Sequence, residues 1–166
     1  MKRILFILMV VLIPFSCLAQ EDETEKDHYF TYEPTFSVAN KAEIGLSVGY
    51  KKVGFSGSRF FNIANRWHGP YLGLSYGANN GEGLMISKLG YSVMHKIIIV
   101  RSALINYTDF GQGMFVFRPE AGLSFFEVLS VTYGYNIPLT NTDYFNKKGH
   151  VLTINISLAL GFIIND

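Results

Sequence analysis

The sequence predicts an all-β protein, an eight-stranded antiparallel up-and-down transmembrane β-barrel. Apolar residues alternate with small or polar residues over long stretches of the chain. The composition, with 14 Phe, 10 Tyr and 16 Gly, is typical of strands and turns. The chain also opens on an export signal. Because the side chains of a strand point alternately to two faces, such alternation describes strands with one apolar and one polar face.

Residues 1–19 are predicted to be a secretory signal peptide. Lys2 and Arg3 precede an apolar stretch, and Cys17-Leu18-Ala19 supplies a small-x-small site for cleavage after Ala19. Lipidation of Cys17 is the alternative to this cleavage. Cys17 is the only cysteine, so the mature chain would have none, which excludes a disulfide scaffold and cysteine–metal chemistry.

Residues 20–40 are predicted to form an acidic tail and a lead-in segment outside the barrel. The run from Gln20 to Asp27 is strongly charged and has no apolar anchor, as in disordered spacers. From His28 to Asn40, aromatic residues surround Pro34 without a clear period, which suggests a plug-like segment or an approach to the first strand. The barrel domain is therefore placed at residues 41–166.

Eight strands are predicted within this domain, at about 42–50, 53–61, 71–78, 83–93, 96–107, 113–123, 128–137 and 151–164. In the first, Ile44 and Leu46 oppose Gly45 and Ser47. The second is weaker, because glycine and serine dilute its pattern. The third alternates leucine and tyrosine with glycine and serine, and the next four continue in the same way.

The eighth predicted strand has the most regular alternation. Its apolar positions are Leu152, Ile154, Ile156, Leu158, Leu160, Phe162 and Ile164. It is longer than the roughly 9–11 residues with which a tilted strand crosses a bilayer. Only a closed barrel leaves no unpaired strand edge in hydrocarbon, so a membrane location implies closure.

The predicted connections differ in length between the two ends of the barrel. Those at 94–95 and 126–127 are short, whereas those at 79–82, 108–112 and 139–149 are longer. Two links are exceptions, the short one at 51–52 and the longer turn at 62–69. Short turns at one end and longer loops at the other are typical of outer-membrane barrels. This pattern places both termini of the barrel in the periplasm.

Three segments carry a resemblance to known proteins. Asn106–Phe110, Pro119–Phe126 and Thr132–Leu139 resemble segments of uncharacterised exported barrels of Bacteroidota-type bacteria. Together with the signal and the eight strands, the chain resembles small outer-membrane β-barrels of the outer membrane protein A and X kind over about residues 41–166. The resemblance implies an outer-membrane location and brings no known activity. Barrels of this kind usually end on an aromatic residue, whereas this sequence ends at Asp166.

The alternation also predicts a lumenal polar network. With Phe115, Phe117, Ala121 and Leu123 facing outwards on one strand, Arg118 and Glu120 face inwards, and the same reasoning places Glu43 and Arg101 inside. Lipid-facing arginines would cost about 2–4 kcal/mol near the midplane, which favours the lumen for Arg101 and Arg118. The network of Glu43, Arg101, Arg118 and Glu120 is interpreted as polar filling that fixes the register, with a binding or gating site as the alternative.

The predicted role is structural or adhesive, in the outer membrane of a Gram-negative envelope, with no catalytic, metal or cofactor site. The 139–149 loop, with Tyr144, Phe145, Lys147 and Lys148, is the candidate surface-interaction site. Partners would be outer-membrane lipid and an unidentified surface or periplasmic molecule. After loss of Lys2 and Arg3, 14 − 2 = 12 basic residues oppose 13 acidic ones, so no nucleic acid is expected. The chain is expected to be a monomer.

Two alternatives belong to other function classes. A soluble periplasmic lipocalin-like barrel would bind a small apolar ligand, with a polar outside and an apolar inside. A lipid-modifying outer-membrane enzyme of the deacylase type would have a serine two residues after a histidine. None of His28, His68, His95 and His150 is followed in this way, so an enzyme is not expected.

Overall fold

A computed structural model describes residues 26–38, 42–54, 66–79, 82–125, 128–140 and 149–160 of the chain. Nine strand segments form one antiparallel sheet. They are β1 (Lys26–Val38), β2 (Ala42–Gly54), β3 (Arg66–Asn79), β4 (Glu82–His95), β5 (Ile98–Thr108), β6 (Gly113–Phe125), β7 (Leu129–Pro138), β8 (Gly149–Ile156) and β9 (Leu158–Leu160). Among the described residues there is no helix that is long and apolar enough to cross a membrane.

The sheet closes into an eight-stranded up-and-down barrel, as the sequence predicts. β8 and β9 both pair with β1, one after the other along its length. On its other side β1 pairs with β2, which closes the sheet. Only Ser157 separates these two segments, so together they act as the eighth strand. With β8 and β9 counted as one strand, every strand therefore has two neighbours and the sheet closes on itself, although the short segment β9 pairs with β1 alone.

The strand register fixes the tilt of the barrel. A row of paired residues that starts at Asp27 and passes once around the barrel returns to β1 ten residues further along (37 − 27). The row is Asp27, Val53, Trp67, Met94, Ile99, Gly122, Thr132, Thr153 and Ser37. With a rise of about 3.3 Å per residue and about 4.7 Å between strands, this offset corresponds to a strand tilt of about 40°.

The first strand of the barrel lies in the segment predicted to be a lead-in, and that prediction is wrong. β1 pairs with β2 along its whole length, from Lys26 with Gly54 to Val38 with Ala42. Pro34 argued against a strand because proline has no N–H to donate. In the structure, Pro34 lies opposite the break between the β1–β8 and β1–β9 ladders. The missing donor is therefore tolerated there.

The predicted second strand at 53–61 is also displaced. β2 continues through Lys51 and Lys52 as far as Gly54, where the sequence suggests a turn, and residues 55–65 lie outside the described residues. The barrel therefore has the predicted number of strands, but its first two begin earlier than predicted. Lys51 extends β2 because its side chain faces inwards and pairs with a buried carboxylate.

The predicted difference between the two ends is only partly present. We call the end where β1 begins and β9 ends the terminal end, and the other the opposite end. The terminal end has the turn Lys96-Ile97 but also the link 55–65. The opposite end has the short links 39–41 and 80–81, together with 109–112 and 139–148. Each end thus has one long link, so link length alone does not orient the barrel.

Apolar side chains cover the outside of the barrel, and charged side chains are buried inside. Leu72 and Leu74 on β3 and Tyr133 on β7 are more than half exposed, whereas Arg118 and Glu43 are 1% exposed. In β8 the outward residues Leu152 and Ile156 are exposed while Val151, Thr153 and Asn155 are buried. Phe117 departs from this pattern, because it lies in the outward register but is only 8% exposed.

Candidate functional site: the charged lumen

Two apolar layers, contributed by strands β2 to β6, lie inside the barrel together with buried charged residues. Towards the terminal end, Val53, Trp67, Met94 and Ile99 form a buried cluster. Leu84, Met114 and Tyr107 belong to a second cluster, and they lie near the strand ends at the opposite end. The described lumen also buries seven charged side chains: Glu33, Glu43, Lys51, Lys88, Arg101, Arg118 and Glu120. Of these, Lys88 on β4 and Arg101 on β5 lie between residues of the two clusters along their own strands.

The first group of charges surrounds Arg118 on β6. Its Nε donates a hydrogen bond to Asn136 Oδ1 at 2.7 Å, and its Nη2 donates to the Tyr107 hydroxyl. That hydroxyl donates to Glu43 Oε1 at 3.0 Å. Arg118 also lies 3.6 Å from Glu43 Oε2 and 3.7 Å from Glu120 Oε1. One guanidinium therefore joins strands β2, β5, β6 and β7 across the lumen.

Two further contacts complete the group around Arg118. Lys88 Nζ on β4 lies 3.7 Å from Glu43 Oε2, and the Thr132 hydroxyl on β7 donates to Glu120 Oε2 at 2.7 Å. Both carboxylates thus have a cation and a neutral hydroxyl donor. Buried carboxylates are tolerated only with such partners, because the desolvation of an isolated charge costs several kcal/mol.

The second group surrounds Glu33 on β1. Its carboxylate forms an ion pair with Arg101 on β5 and another with Lys51 on β2, the latter at 2.6 Å. Ser157, at the break between β8 and β9, donates to Glu33 Oε1 at 3.1 Å and accepts from Lys51 Nζ at 2.6 Å. Glu33 therefore links β1 and the break between β8 and β9, where the barrel closes, to β2 and β5.

Aromatic rings lie against both cations of the Glu33 group. Lys51 Nζ is 4.0 Å from the centre of the Trp67 ring, and the Arg101 guanidinium is 4.8 Å from the centre of the Tyr71 ring. Cation–π contacts of this kind are stronger where the cation is desolvated. Trp67 in turn donates from Nε1 to Met94 Sδ at 3.0 Å, so the Glu33 group contacts the apolar layer at the terminal end directly.

All four residues of the predicted lumenal network are buried inside the barrel, but they do not form one cluster. Glu43, Arg118 and Glu120 come together. Arg101 lies opposite Glu120 in the β5–β6 register, yet its ion pair is with Glu33. The other predicted site, Tyr144, Phe145, Lys147 and Lys148, lies outside the described residues.

The sequence analysis did not identify Glu33, Lys51 and Lys88 as lumenal residues. Glu33 lies in the segment assigned to the lead-in, and Lys51 lies where a turn is predicted. The signal for Glu33 was the alternation of this segment. Glu33 shares one face with Thr31 and Thr35, whereas Tyr32 and Pro34 lie on the other face. Lys88 is harder to place, because β4 has apolar residues on both faces, with Ile86 buried and Leu89 exposed.

Two atoms of the network have no hydrogen-bond partner, Glu43 Oε2 and Arg101 Nε. Glu43 Oε2 nevertheless lies 3.7 Å from Lys88 Nζ and 3.6 Å from Arg118 Nη2, so its charge is balanced without a hydrogen bond. Within the described part of the chain, no three His, Cys, Asp or Glu side chains are grouped so that they could hold a metal ion. The described lumenal groups form ion pairs and hydrogen bonds with one another.

The comparisons with known proteins add no relative. No family model matches the chain, and no curated protein or solved structure matches it either. The functional argument therefore rests on the barrel itself and on the distribution of its side chains.

Proposed function

We propose that this chain is a non-enzymatic outer-membrane β-barrel with a structural or adhesive role, of the outer membrane protein A and X kind. The observation that carries the proposal is the distribution of polarity. The barrel presents leucine, isoleucine, phenylalanine and tyrosine outwards and buries seven charged side chains in the described lumen. Lipid is the solvent that suits such an outer surface, and transmembrane barrels alternate apolar-out and polar-in in this way.

Strand length supports the same proposal. Seven of the nine strand segments are 10–14 residues long, and β8 with β9 makes a strand of similar length. Tilted by about 40°, a 13-residue strand rises about 33 Å, compared with about 30 Å for a hydrocarbon core. The strands are thus long enough to span a bilayer.

The buried charges act as internal scaffolding in this proposal. Glu33 and Glu43 are paired with cations from other strands, and Glu120, paired with Arg118 of its own strand, accepts a hydrogen bond from Thr132 on β7, so these contacts favour one register of the closed sheet. Surface interaction would then belong to the links outside the barrel, with the 139–148 link as the candidate.

A soluble lipocalin-like barrel is the alternative, and the two apolar clusters inside the lumen are the observation in its favour. The charged side chains buried with them oppose it, because an apolar ligand would have to contact those charges. A soluble barrel would also expose its apolar outer strands to water, where patches of more than a few hundred Å² are rare on monomers.

The experiment is fractionation followed by electrophoresis. The full chain, with its signal, is expressed in a Gram-negative host, and the outer-membrane fraction is run with and without boiling. We expect the protein in the outer membrane, with the unboiled band migrating faster, because a closed barrel resists unfolding by detergent. A soluble periplasmic protein without this difference would contradict the proposal and favour the lipocalin-like alternative.

A further inference from the structure

Basic residues collect on one side of the barrel's outer surface, at the terminal end. The strand register aligns two rows of outward positions across β1 to β4. The first row is Lys26, Gly54, Arg66 and His95, and the second is His28, Lys52, His68 and Val93. Lys96 follows in the β4–β5 turn. No carboxylate occupies either row. We call this set of positions the basic rim.

The basic rim brings together residues that lie far apart in the sequence, between positions 26 and 96. Lys52 and His68 are directly opposite one another in the β2–β3 register, which places their Cβ atoms about 4.5–5.5 Å apart. Both are partly exposed, and His95 and Lys96 are exposed. Of these four side chains, the two lysines are charged at neutral pH.

The composition of the outer surface changes in order away from the basic rim. The next outward positions are Phe30 and Tyr50 on β1 and β2, and Pro70 and Tyr91 on β3 and β4. Phe30 and Tyr50 pack edge to face with ring centres 5.4 Å apart, and the Tyr91 hydroxyl is 2.7 Å from His68 Nδ1. Beyond them, Tyr32, Val48, Leu72 and Leu89 form a largely aliphatic row.

This order is that of a membrane interface: charge, then aromatic rings, then aliphatic side chains. Tyrosine is enriched where hydrocarbon meets headgroups, so the aromatic row marks that depth. Along each of these strands, the basic residues therefore lie on the headgroup side of the aromatic row. On β6 to β9 the corresponding outward residues are apolar, among them Phe125, Leu129, Ile156 and Leu158, so within the described strands the basic residues of this end lie on the β1–β4 side.

From this arrangement we infer that the basic rim binds the phosphate groups of anionic glycerophospholipids in the leaflet at the terminal end. The inference rests on the proposed membrane location. It goes further by naming a lipid class and a side of the barrel. Two observations support the inference: the charge of the basic rim is complementary to phosphate, and the rim is continuous with the apolar surface. A phospholipid whose acyl chains pack on Leu72 and Leu89 presents its phosphate at the height of Lys52 and His68.

The test uses Trp67, the only tryptophan of the chain, which lies on β3 next to His68. The barrel is inserted into phosphatidylcholine vesicles that contain a small fraction of lipid with a pyrene-labelled acyl chain, either phosphatidylglycerol or phosphatidylcholine. Energy transfer from Trp67 to pyrene reports lipid close to the terminal end. We expect more transfer to phosphatidylglycerol, and a smaller preference at high salt because salt screens exposed charges.

A matched pair of variants locates the binding. Lys52→Gln with Lys96→Asn should lower the preference for phosphatidylglycerol by about fivefold or more, since each basic residue near an anionic surface contributes about 1 kcal/mol. Asn is chosen at position 96 because Lys96 has a φ of 56°, which Asn adopts readily. The control, Lys147→Gln with Lys148→Asn, removes the same charge from the 139–148 link and should keep the preference.

Four results would overturn the inference. The wild-type barrel could insert, with its gel shift intact, and transfer equally to both lipids; the membrane proposal would then stand alone. The two double variants could lose the preference equally, which would indicate a general charge effect. A barrel that fails to insert would remove the proposed function and this inference together. Inorganic phosphate at matched ionic strength should not displace the labelled lipid, and displacement would indicate a site for soluble phosphate instead.

Discussion

Arg118 shows at the scale of one residue how the lumen holds its charges. It is 1% exposed and contacts Glu43, Glu120, Tyr107 and Asn136. Replacing it with Met should destabilise the barrel by about 3–5 kcal/mol, because Glu43 and Glu120 would stay buried with one cation fewer. Urea unfolding in detergent micelles, followed by Trp67 fluorescence, measures the change. Lys96→Asn, which removes an exposed cation, should change stability by no more than about 0.5 kcal/mol.

A second variant separates charge balance from packing at the same residue. Adding Glu120→Gln to Arg118→Met should recover much of the lost stability, since Glu43 would keep Lys88 as its cation and Glu120 would no longer be a buried charge. Failure of this recovery would indicate that Arg118 acts through its size and hydrogen bonds. The alternation of β6 was enough to predict that Arg118 faces the lumen. Its contact with Tyr107 depends on the closure of the barrel and could not be read from one strand.

Strands β2 and β3 show at the scale of elements where the barrel cannot accept a side chain. A Cβ on Gly69 would lie 1.7 Å from the carbonyl oxygen of Tyr50, whereas a Cβ on Gly77 of the same strand would meet its nearest atom at 3.4 Å. The clash at Gly69 is with backbone, so no rotamer relieves it. Gly69→Ala should therefore cost about 2 kcal/mol or more, and Gly77→Ala much less.

The comparison of Gly69→Ala with Gly77→Ala uses the same chemical change on one strand. The measurement is the fraction of fast-migrating unboiled band across a urea series, which reports the closed barrel. A lower midpoint for Gly69→Ala alone is expected. Equal midpoints would mean that β2 and β3 can separate locally without loss of closure, contrary to the close approach seen here.

The positions of the strands show how much of the fold could be predicted from the alternation in the sequence. Alternation predicted an eight-stranded barrel, and β3 to β8 lie close to the predicted strands. It failed at β1 because the segment around Pro34 shows no clear period, and the ladder break that accepts the proline is formed at Ser157, more than a hundred residues away. The same error hid Glu33 and therefore the partner of Arg101. Which side chains meet inside a barrel depends on how the sheet closes, so alternation along one strand cannot predict ion pairs between distant strands.

At the scale of the whole molecule, the decisive property is which side of the barrel faces lipid. Leu74 lies in the middle of β3 and is 57% exposed, and Ile97 in the β4–β5 turn is 62% exposed. In a soluble barrel, arginine at either position would change stability by no more than about 0.5 kcal/mol. In a bilayer the cost depends on depth, at about 2–4 kcal/mol near the midplane and about 0–1 kcal/mol near the interface.

Leu74→Arg and Ile97→Arg therefore form a depth pair that distinguishes the two proposed environments. Unfolding of both variants from vesicles should show a large loss for Leu74→Arg and little change for Ile97→Arg. Since the two side chains are similarly exposed, a difference between them can come only from a surrounding solvent that changes from mid-strand to turn. Similar small effects would mean that water surrounds the whole barrel, and the apolar outer surface would then need a protein partner to cover it.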